Sequence, residues 1–294
     1  MKAMVFPGQG SQFVGMAVER YQSEPEAKKI IDEADEILGF SLSNIMFNGP
    51  EDSLKQTEYT QPALFVHSMA VFKTIDMTPD CVAGHSLGEF SALTAAGVLS
   101  FEEGLKLVRL RGQLMQVAGE RSSGAMGAVI GLDDDLVAQI CEDISDKLNE
   151  TVVPANYNSK GQIVISGHSN AVESALSEAK EQGAKLAKLL PVSGAFHSSL
   201  MQPAYDEFKL SLNKVSFANA KVPVYSNVNA TPSQSADELK NNVLQQLLKP
   251  VLWTQTIEQM VSDGVKEVIE LGPGKVLQGL VKRIDRTLQF SGIQ

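Results

Sequence analysis

A serine between two glycines is the first residue whose type and spacing could do chemistry. Ser86 lies in Gly84-His85-Ser86-Leu87-Gly88, a G-x-S-x-G pattern. Such a pattern is typical of a sharp strand-to-helix turn that exposes the serine oxygen. A strand-like segment precedes it and a helix-like segment follows. We take Ser86 as a candidate nucleophile, with an ordinary turn as the alternative. The backbone N–H of Leu87, at the start of the predicted helix, would suit an oxyanion.

A serine nucleophile needs a base, and the sequence has four histidines. His67 lies in an apolar run and is expected to pack inside a helix, and His168 follows a predicted strand at a surface position. His85 adjoins Ser86, and neighbouring side chains on a tight turn diverge. His197 remains, at the predicted junction between two domains, where pockets are common. We take His197 as the candidate base, with a loop or helix-cap histidine as an equal alternative.

Arg111 is a cation inside an apolar stripe of a predicted helix. Leu107, Val108, Leu114 and Met115 stand three and four positions away, so they share its helix face. A buried guanidinium needs a counter-anion. That anion is either an acid elsewhere in the chain, which is the commoner case, or a substrate carboxylate bound in bidentate fashion.

A glycine-rich loop, Gly8-Gln9-Gly10, follows the first predicted strand. The third glycine of a dinucleotide-binding pattern would fall at Phe13, and no G-K-[ST] follows, so nucleotide binding is not favoured. A loop in this place can instead supply a backbone N–H to an oxyanion hole. We assign that role to Gln9.

The elements that must position these residues alternate between strand-like and helix-like segments, which predicts an α/β protein with a largely parallel sheet. The middle section has the order β-α-β-β-α-β, which is typical of a ferredoxin-like unit. We place a small subdomain at residues 124–192 and a large catalytic domain at residues 1–123 and 193–294. The predicted strands are 3–6, 80–83, 126–130, 152–156, 162–166, 184–190, 222–228 and 265–271, and the predicted helices are 24–38, 61–74, 89–96, 101–117, 134–148 and 171–182.

The composition of the chain argues against several classes of function. The net charge of −10 argues against sequence-independent nucleic-acid binding, which needs a basic surface. No apolar run approaches the roughly 20 residues of a membrane helix, and the start of the chain has no signal-peptide plan. Two cysteines do not make a disulfide framework, which indicates the reducing cytoplasm. No His/Cys/Asp cluster suggests a metal, and a monomer is the default expectation.

Seven short segments, spread in order over nearly the whole chain, carry a resemblance to a known family. They are Phe6-Pro7-Gly8-Gln9-Gly10-Ser11-Gln12, Thr60-Gln61-Pro62-Ala63, Gly84-His85-Ser86-Leu87-Gly88-Glu89, Arg111-Gly112, Gly124-Ala125-Met126, Ala195-Phe196-His197-Ser198 and Leu271-Gly272-Pro273-Gly274. Together they resemble the malonyl-CoA:acyl carrier protein transacylase family. The resemblance implies an α/β-hydrolase-like large domain with an inserted ferredoxin-like small subdomain.

The same resemblance implies residue roles. Ser86 would be the nucleophile and His197 the base, Gln9 and Leu87 would give backbone N–H groups to the oxyanion hole, and Arg111 would hold the malonyl carboxylate. The segment around His197 is similar to that of malonyl-selective members.

In this family, backbone carbonyls rather than an aspartate orient the histidine. We assign one of these carbonyls to Leu252, in the segment Pro250-Val251-Leu252-Trp253.

The implied reaction moves a malonyl group from malonyl-CoA to the phosphopantetheine thiol of acyl carrier protein, by a ping-pong mechanism that supplies fatty acid synthesis. No bound cofactor is expected, because the coenzyme A thioester is the donor and the acceptor protein carries the phosphopantetheine. Three alternatives stay open: a trans-acting acyltransferase of a polyketide synthase, a serine thioesterase or hydrolase, and an inactive binding module.

An acidic carrier would be repelled by a net charge of −10, so a local basic patch is expected. Lys275, Lys282 and Arg286 would fall on one stripe of a helix that starts after Gly274. An ordinary solvated helix face is the commoner alternative.

Overall fold

The computed structural model describes residues 1–192 and 194–294, which form two β-sheets with helices packed on them. Ser193, where the predicted return to the large domain begins, lies outside the described residues. The strands are β1 (Lys2–Phe6), β2 (Cys81–Gly84), β3 (Gly124–Ile130), β4 (Val152–Ser159), β5 (Gln162–His168), β6 (Leu186–Leu189), β7 (Val224–Tyr225), β8 (Pro232–Ser233), β9 (Glu267–Leu271) and β10 (Gln289–Ile293).

Thirteen α-helices connect these strands in the described part of the chain. None of those helices is both long and apolar enough to cross a membrane. They are α1 (Val18–Ser23), α2 (Pro25–Leu38), α3 (Leu42–Asn48), α4 (Glu51–Lys55), α5 (Thr57–Thr74), α6 (Gly88–Ala95), α7 (Phe101–Arg121), α8 (Asp134–Leu148), α9 (Ser169–Glu181), α10 (Gln202–Leu212), α11 (Ala236–Gln245), α12 (Trp253–Ser262) and α13 (Val276–Ile284).

The larger sheet has the strand order β10-β9-β1-β2-β7-β8, and every neighbouring pair except β7–β8 is parallel. Both faces of its centre are covered. Along β1, Met4 and Phe6 join one apolar core, while Ala3 and Val5 join a second core on the opposite face. A parallel strand buried on both sides reads as a continuous apolar run, which is why β1 could be predicted from its sequence. The predicted, mostly parallel sheet is confirmed.

The smaller sheet is antiparallel, with the strand order β4-β5-β3-β6. Its strands alternate with α8 and α9 in the predicted β-α-β-β-α-β order, and both helices pack on one core with the sheet. This is the expected ferredoxin-like insert in the α/β fold. Its strands run from Gly124 to Leu189, while the exact limits at 124 and 192 stay a prediction.

Backbone hydrogen bonds fasten the smaller sheet to the larger unit. The N–H of Tyr157 in β4 donates to the carbonyl of Val251 at 2.9 Å, and the N–H of Val251 donates to the carbonyl of Ala155 at 2.8 Å. Val251 lies just before α12, so the loop leading into that helix pairs with an inserted strand. These bonds attach the inserted sheet to the segment that begins α12.

Helix α7 crosses α5 closely. Its start is fixed by a capping box, in which the Ser100 hydroxyl accepts the N–H of Glu103 and the Glu103 carboxylate accepts the N–H of Ser100. A side chain at Gly112 would come within 2.7 Å of the Thr57 carbonyl oxygen in α5. Glycine at this position lets the two helices approach, which brings Gln61 of α5 beside α7.

The prediction that three cations form one stripe on a helix after Gly274 is wrong. Helix α13 ends at Ile284, so Arg286 lies in the turn beyond it, and Lys275 lies just before its first residue. Only Lys282 of the three stands within the helix, although all three side chains are exposed. The short helix explains the difference, because the regular spacing of the stripe requires helical geometry throughout.

Candidate active site

Ser86 lies at the carboxyl end of β2, in the sharp turn before α6. Its backbone φ is 50°, in the left-handed region that residues other than glycine rarely adopt. A Cβ on Gly84 would lie 1.8 Å from the carbonyl carbon of Gly88, and one on Gly88 would lie 2.0 Å from the carbonyl oxygen of Phe6. Only glycine fits at both positions. The turn therefore has the strand-to-helix geometry predicted from the G-x-S-x-G pattern.

His197 comes to Ser86 from the loop between β6 and α10. Its Nε2 lies 2.9 Å from the Ser86 Oγ, and the imidazole is buried. His197 also has a positive φ, 59°, so the chain is held in an uncommon conformation at both members of the pair. The structure brings together the serine and the histidine selected by elimination.

The other ring nitrogen of His197, Nδ1, lies 2.7 Å from the backbone oxygen of Gln246, which directly follows α11. Nδ1 therefore carries the proton and donates it, which leaves Nε2 free to accept the Ser86 hydroxyl proton. The expectation that the Leu252 carbonyl orients His197 is therefore wrong. The Leu252 carbonyl accepts the N–H and the hydroxyl of Thr256 instead, at 2.9 and 2.8 Å, at the start of α12.

Arg111 projects from α7 to the same place, and its side chain is buried. Its guanidinium donates to the Gln61 Oε1 at 2.9 Å, to the Gln246 Oε1 at 2.8 Å and to the Ser86 Oγ at 3.2 Å. The ion pairs found among residues 1–192 and 194–294 do not include Arg111. Neutral amide oxygens thus hold the cation, which is not the structural salt bridge considered as the commoner case.

A cavity of about 160 Å³ opens between the two sheets next to Ser86. Its polar wall includes Gln9, His85 and Asn158, with the His85 Nε2 lying 2.8 Å from the Asn158 Oδ1. The rest of its lining is mainly apolar, as in many small-molecule sites. Its apolar lining comprises Leu87, Met115, Met126, Val164, Leu190, Val192 and Phe196.

Gln9 and Leu87 line this cavity on either side of Ser86. Gln9 lies in the loop after β1, and Leu87 caps the N-terminus of α6. Among the described residues, the backbone N–H groups of Gln9 and Leu87 donate to no acceptor. Because carboxyl ends of neighbouring parallel strands share one edge of a sheet, β1 and β2 place both loops beside the serine.

The electrostatics of the site follow from burial. Burial, with a smaller contribution from Arg111, lowers the pKa of His197 to about 3, so its imidazole is neutral at neutral pH. Burial also lowers the pKa of Arg111 to about 10, which leaves the guanidinium charged. A neutral imidazole with a free Nε2 beside a permanent cation can accept a proton while an anion binds nearby.

Two residues that the sequence analysis missed complete the site. Gln246 accepts from both His197 and Arg111, and Asn227 shapes the turn around Ser86. The Asn227 Oδ1 accepts the N–H of Ser86 at 2.7 Å, and its Nδ2 donates to the carbonyl of Gly84, also at 2.7 Å. No motif marks either residue, because each reaches the site from a loop far away along the chain.

In the described ranges, no three His, Cys, Asp or Glu side chains lie close enough together to ligate a metal. His67 and His168 stand outside the cavity lining. His67 is buried in α5, as expected, and the His168 Nδ1 accepts the N–H of Thr151.

This fold, with a serine–histidine pair at the carboxyl edge of a parallel sheet, defines a class of enzymes that transfer or hydrolyse acyl groups through a serine. The chain belongs to the acyl transferase domain family, whose sequence model matches residues 3–289.

Individual relatives match this chain over nearly its full length. The chain is 46% identical over 290 residues to the malonyl CoA-acyl carrier protein transacylase of Bacillus subtilis (strain 168), covering 98% of this chain and 91% of the relative. The crystal structure of an acyl carrier protein S-malonyltransferase from Vibrio cholerae O1 superposes with a TM-score of 0.96, at 45% identity, covering 100% and 96% of the two chains. A malonyl-transacylase in complex with a type II PKS acyl-carrier protein has a TM-score of 0.96 at 41% identity, covering 99% and 95%.

Proposed function

We propose that this acyltransferase moves a malonyl group from malonyl-CoA to the phosphopantetheine thiol of an acyl carrier protein, through a covalent malonyl-Ser86. One observation carries the proposal. A buried guanidinium that makes no direct ion pair in the described part of the chain donates to the oxygen of a serine that also contacts a neutral histidine. That arrangement fits an acyl group with a free carboxylate. The names of the relatives support the same donor and acceptor.

In the first half-reaction, the Ser86 Oγ attacks the thioester carbonyl carbon while His197 Nε2 takes the hydroxyl proton. The carbonyl oxygen becomes an oxyanion that the N–H groups of Gln9 and Leu87 stabilise. Losing one such donor typically costs about 3 kcal/mol of barrier. The C–S bond then breaks, and coenzyme A leaves with the proton from His197.

In the second half-reaction, the carrier thiol gives its proton to His197 and attacks the malonyl ester carbon. The oxyanion forms again, the bond to the Ser86 Oγ breaks, and the proton returns to the serine. Donor and acceptor use one site in turn, so ping-pong kinetics are expected. Throughout, Arg111 holds the malonyl carboxylate in bidentate fashion.

The test is intact mass spectrometry after mixing the protein with malonyl-CoA and then adding a pantetheinylated carrier. A malonyl adduct that requires Ser86 and moves to the carrier is the expected result. An adduct lost mainly to water would favour a thioesterase. No adduct and no turnover of malonyl-CoA would favour an inactive binding module.

Selection of the acyl group is tested separately with Arg111→Ala. Loading from malonyl-CoA should fall sharply, while loading from acetyl-CoA, which has no acyl carboxylate, should change little. An equal loss for both donors would remove Arg111 from the selection of the acyl group.

The identity of the carrier is tested by measuring malonyl transfer to a panel of fatty acid and polyketide carriers. The panel includes both kinds because one structural relative is in complex with a type II PKS carrier. We propose the fatty acid carrier as the acceptor, with supply of fatty acid synthesis as the role. A cytoplasmic location and a monomeric state stay predictions.

A further inference from the structure

Glu89 is a buried acid directly behind the group proposed to bind the malonyl carboxylate. It lies in the first turn of α6, with 1% of its surface exposed. It is linked to Arg111 by the side chain of Gln246. The guanidinium donates to the Gln246 Oε1 at 2.8 Å, and the Gln246 Nε2 donates to a carboxylate oxygen of Glu89. An uncharged amide therefore separates a buried cation from a buried acid.

The surroundings of Glu89 give its carboxyl group few hydrogen-bond partners. Its Oε2 accepts from the Gln246 amide and, at 3.3 Å, from the N–H of Asn227. Its Oε1 is buried without a hydrogen-bond partner among the residues described. A buried carboxylate with a free oxygen is costly unless a nearby charge compensates it. Burial raises the pKa of Glu89 to about 7, against the hydrogen bonds from Gln246 and Asn227 and the weaker attraction of the Arg111 charge.

A direct ion pair would occupy the guanidinium and compete with a bound carboxylate. The amide of Gln246 avoids this competition, since it takes only one N–H of the Arg111 guanidinium. Glu89 still acts on the cation by its charge across the amide. Because Glu89 does not line the cavity, it cannot touch the acyl group.

We propose that Glu89 is a positioning residue whose negative charge weakens the attraction of Arg111 for an anionic acyl group, so that a malonyl group can leave the site as well as enter it. This inference rests on the proposed function, in which Arg111 binds the malonyl carboxylate. An ionised Glu89 repels that carboxylate and also stabilises the free form of Arg111. Both effects act in the same direction.

Glu89→Gln is the informative variant, because it removes the charge and keeps the shape. Its amide oxygen can still accept from Gln246 and Asn227. At pH 8, where Glu89 is largely ionised in the wild type, E89Q should raise the malonyl-to-acetyl ratio of loading efficiencies. The expected rise is about tenfold, the order of magnitude that one nearby charge has at an effective dielectric constant of about 20. The apparent KM for malonyl-CoA should fall while that for acetyl-CoA stays constant.

Two further variants separate the possible causes. In an Arg111→Ala background, E89Q should leave the malonyl-to-acetyl ratio unchanged, because without the guanidinium the malonyl carboxylate is no longer held near Glu89. Glu270→Gln is the matched control. Glu270 is equally buried, at 1% exposure, but its carboxylate accepts N–H groups of Leu277 and Gln278 at the start of α13. E270Q should leave the ratio unchanged.

The outcomes distinguish this inference from the proposed function. A ratio that rises in E89Q but not in E89Q/R111A supports the inference. An unchanged or lower ratio in folded E89Q overturns it, even when R111A alone abolishes malonyl selection and so supports the proposed function. If R111A leaves malonyl selection intact, the proposed role of Arg111 fails first, and the inference fails with it.

Discussion

The backbone oxygen of Gln246 lies 2.7 Å from Nδ1 of His197, in the position where Ser-His-Asp enzymes place a carboxylate. A carbonyl fixes the tautomer and the orientation of the ring as an aspartate does, but it adds no negative charge. The side chain of the same residue bonds Arg111 and Glu89. Gln246 thus joins the proposed base to the proposed carboxylate-binding group through one residue.

Gln246 contacts His197 through its backbone and Arg111 through its side chain, which leads to a prediction for Gln246→Ala. The backbone carbonyl stays, so His197 keeps its bond, while Arg111 loses one of its neutral acceptors. Loading from malonyl-CoA should fall about 10- to 100-fold, the usual effect of losing a hydrogen bond to a charged group. Loading from acetyl-CoA should fall much less.

Single-turnover loading from the two donors, measured on Q246A with a native circular dichroism spectrum, checks this prediction. Equal losses for both donors would mean that the side chain acts mainly on Ser86, whose carbonyl accepts from the Gln246 Nε2 at 3.0 Å. Gln245→Ala is a neighbouring control, because the Gln245 amide donates to the Tyr205 hydroxyl instead.

A second prediction concerns the pH dependence of loading. The pKa of His197 is lowered to about 3, so its imidazole stays neutral, and able to accept a proton, at all pH values well above 3. Loading of Ser86 from acetyl-CoA should therefore show no acid limb near pH 6.5, the ordinary histidine pKa. Acetyl-CoA is used because malonyl binding also responds to the charge of Glu89. A rate that halves near pH 6.5 in both the wild type and E89Q would contradict the lowered pKa.

Much of this site could be predicted from local sequence. Ser86 stood in a short pattern between a strand and a helix, and Arg111 stood out as a cation in an apolar stripe. His197 could be reached by eliminating the other histidines. Each of these signals lies within a few residues along the chain, which is the range over which helix and strand periodicity act.

The missed features depend on contacts between distant segments. Gln246 and Asn227 bond Ser86 across 160 and 141 positions of the chain, and nothing in their own neighbourhood reveals this. Leu252, the residue expected to orient His197, lies only six positions beyond Gln246, whose carbonyl does so. Strand β10 was also missed, because its residues are largely exposed at the edge of the sheet and lack an apolar run.

The turn at Ser86 yields a third prediction, for Gly84→Ala. The new Cβ would lie within 2.3 Å of three backbone atoms of Gly88 and Glu89, which cannot move without opening the turn. The free energy of unfolding should fall by about 3 kcal/mol or more, at the upper end of overpacking effects. Loading of Ser86 should be lost with it.

Gly279→Ala is the matched control, since nothing lies within 4 Å of a Cβ at this position in α13. It should stabilise the protein by about 1 kcal/mol, the helix-propensity difference between alanine and glycine. Urea unfolding of both variants checks the pair. A G84A protein as stable as the wild type would show that the turn can relax.

The last prediction concerns stability and pH at Glu89. Burial raises the pKa of Glu89 from 4.5 to about 7 in the folded protein. The folded state therefore holds a proton that the unfolded chain has already released between these two values. Any stability due to this group is complete below pH 4.5 and is lost as pH rises through about 7. A shift of this size corresponds to about 3 kcal/mol.

E89Q carries no titrating group at this position, while all other ionisable groups are shared with the wild type. The difference in unfolding free energy between E89Q and the wild type should therefore move in favour of E89Q, by about 3 kcal/mol, from pH 4.5 to pH 8. Urea titrations of both proteins at several pH values measure it. A difference that stays constant with pH would show that Glu89 titrates normally, with the Arg111 charge fully offsetting its burial. A difference that moves the other way would mean that Arg111 stabilises the ionised acid more than burial destabilises it.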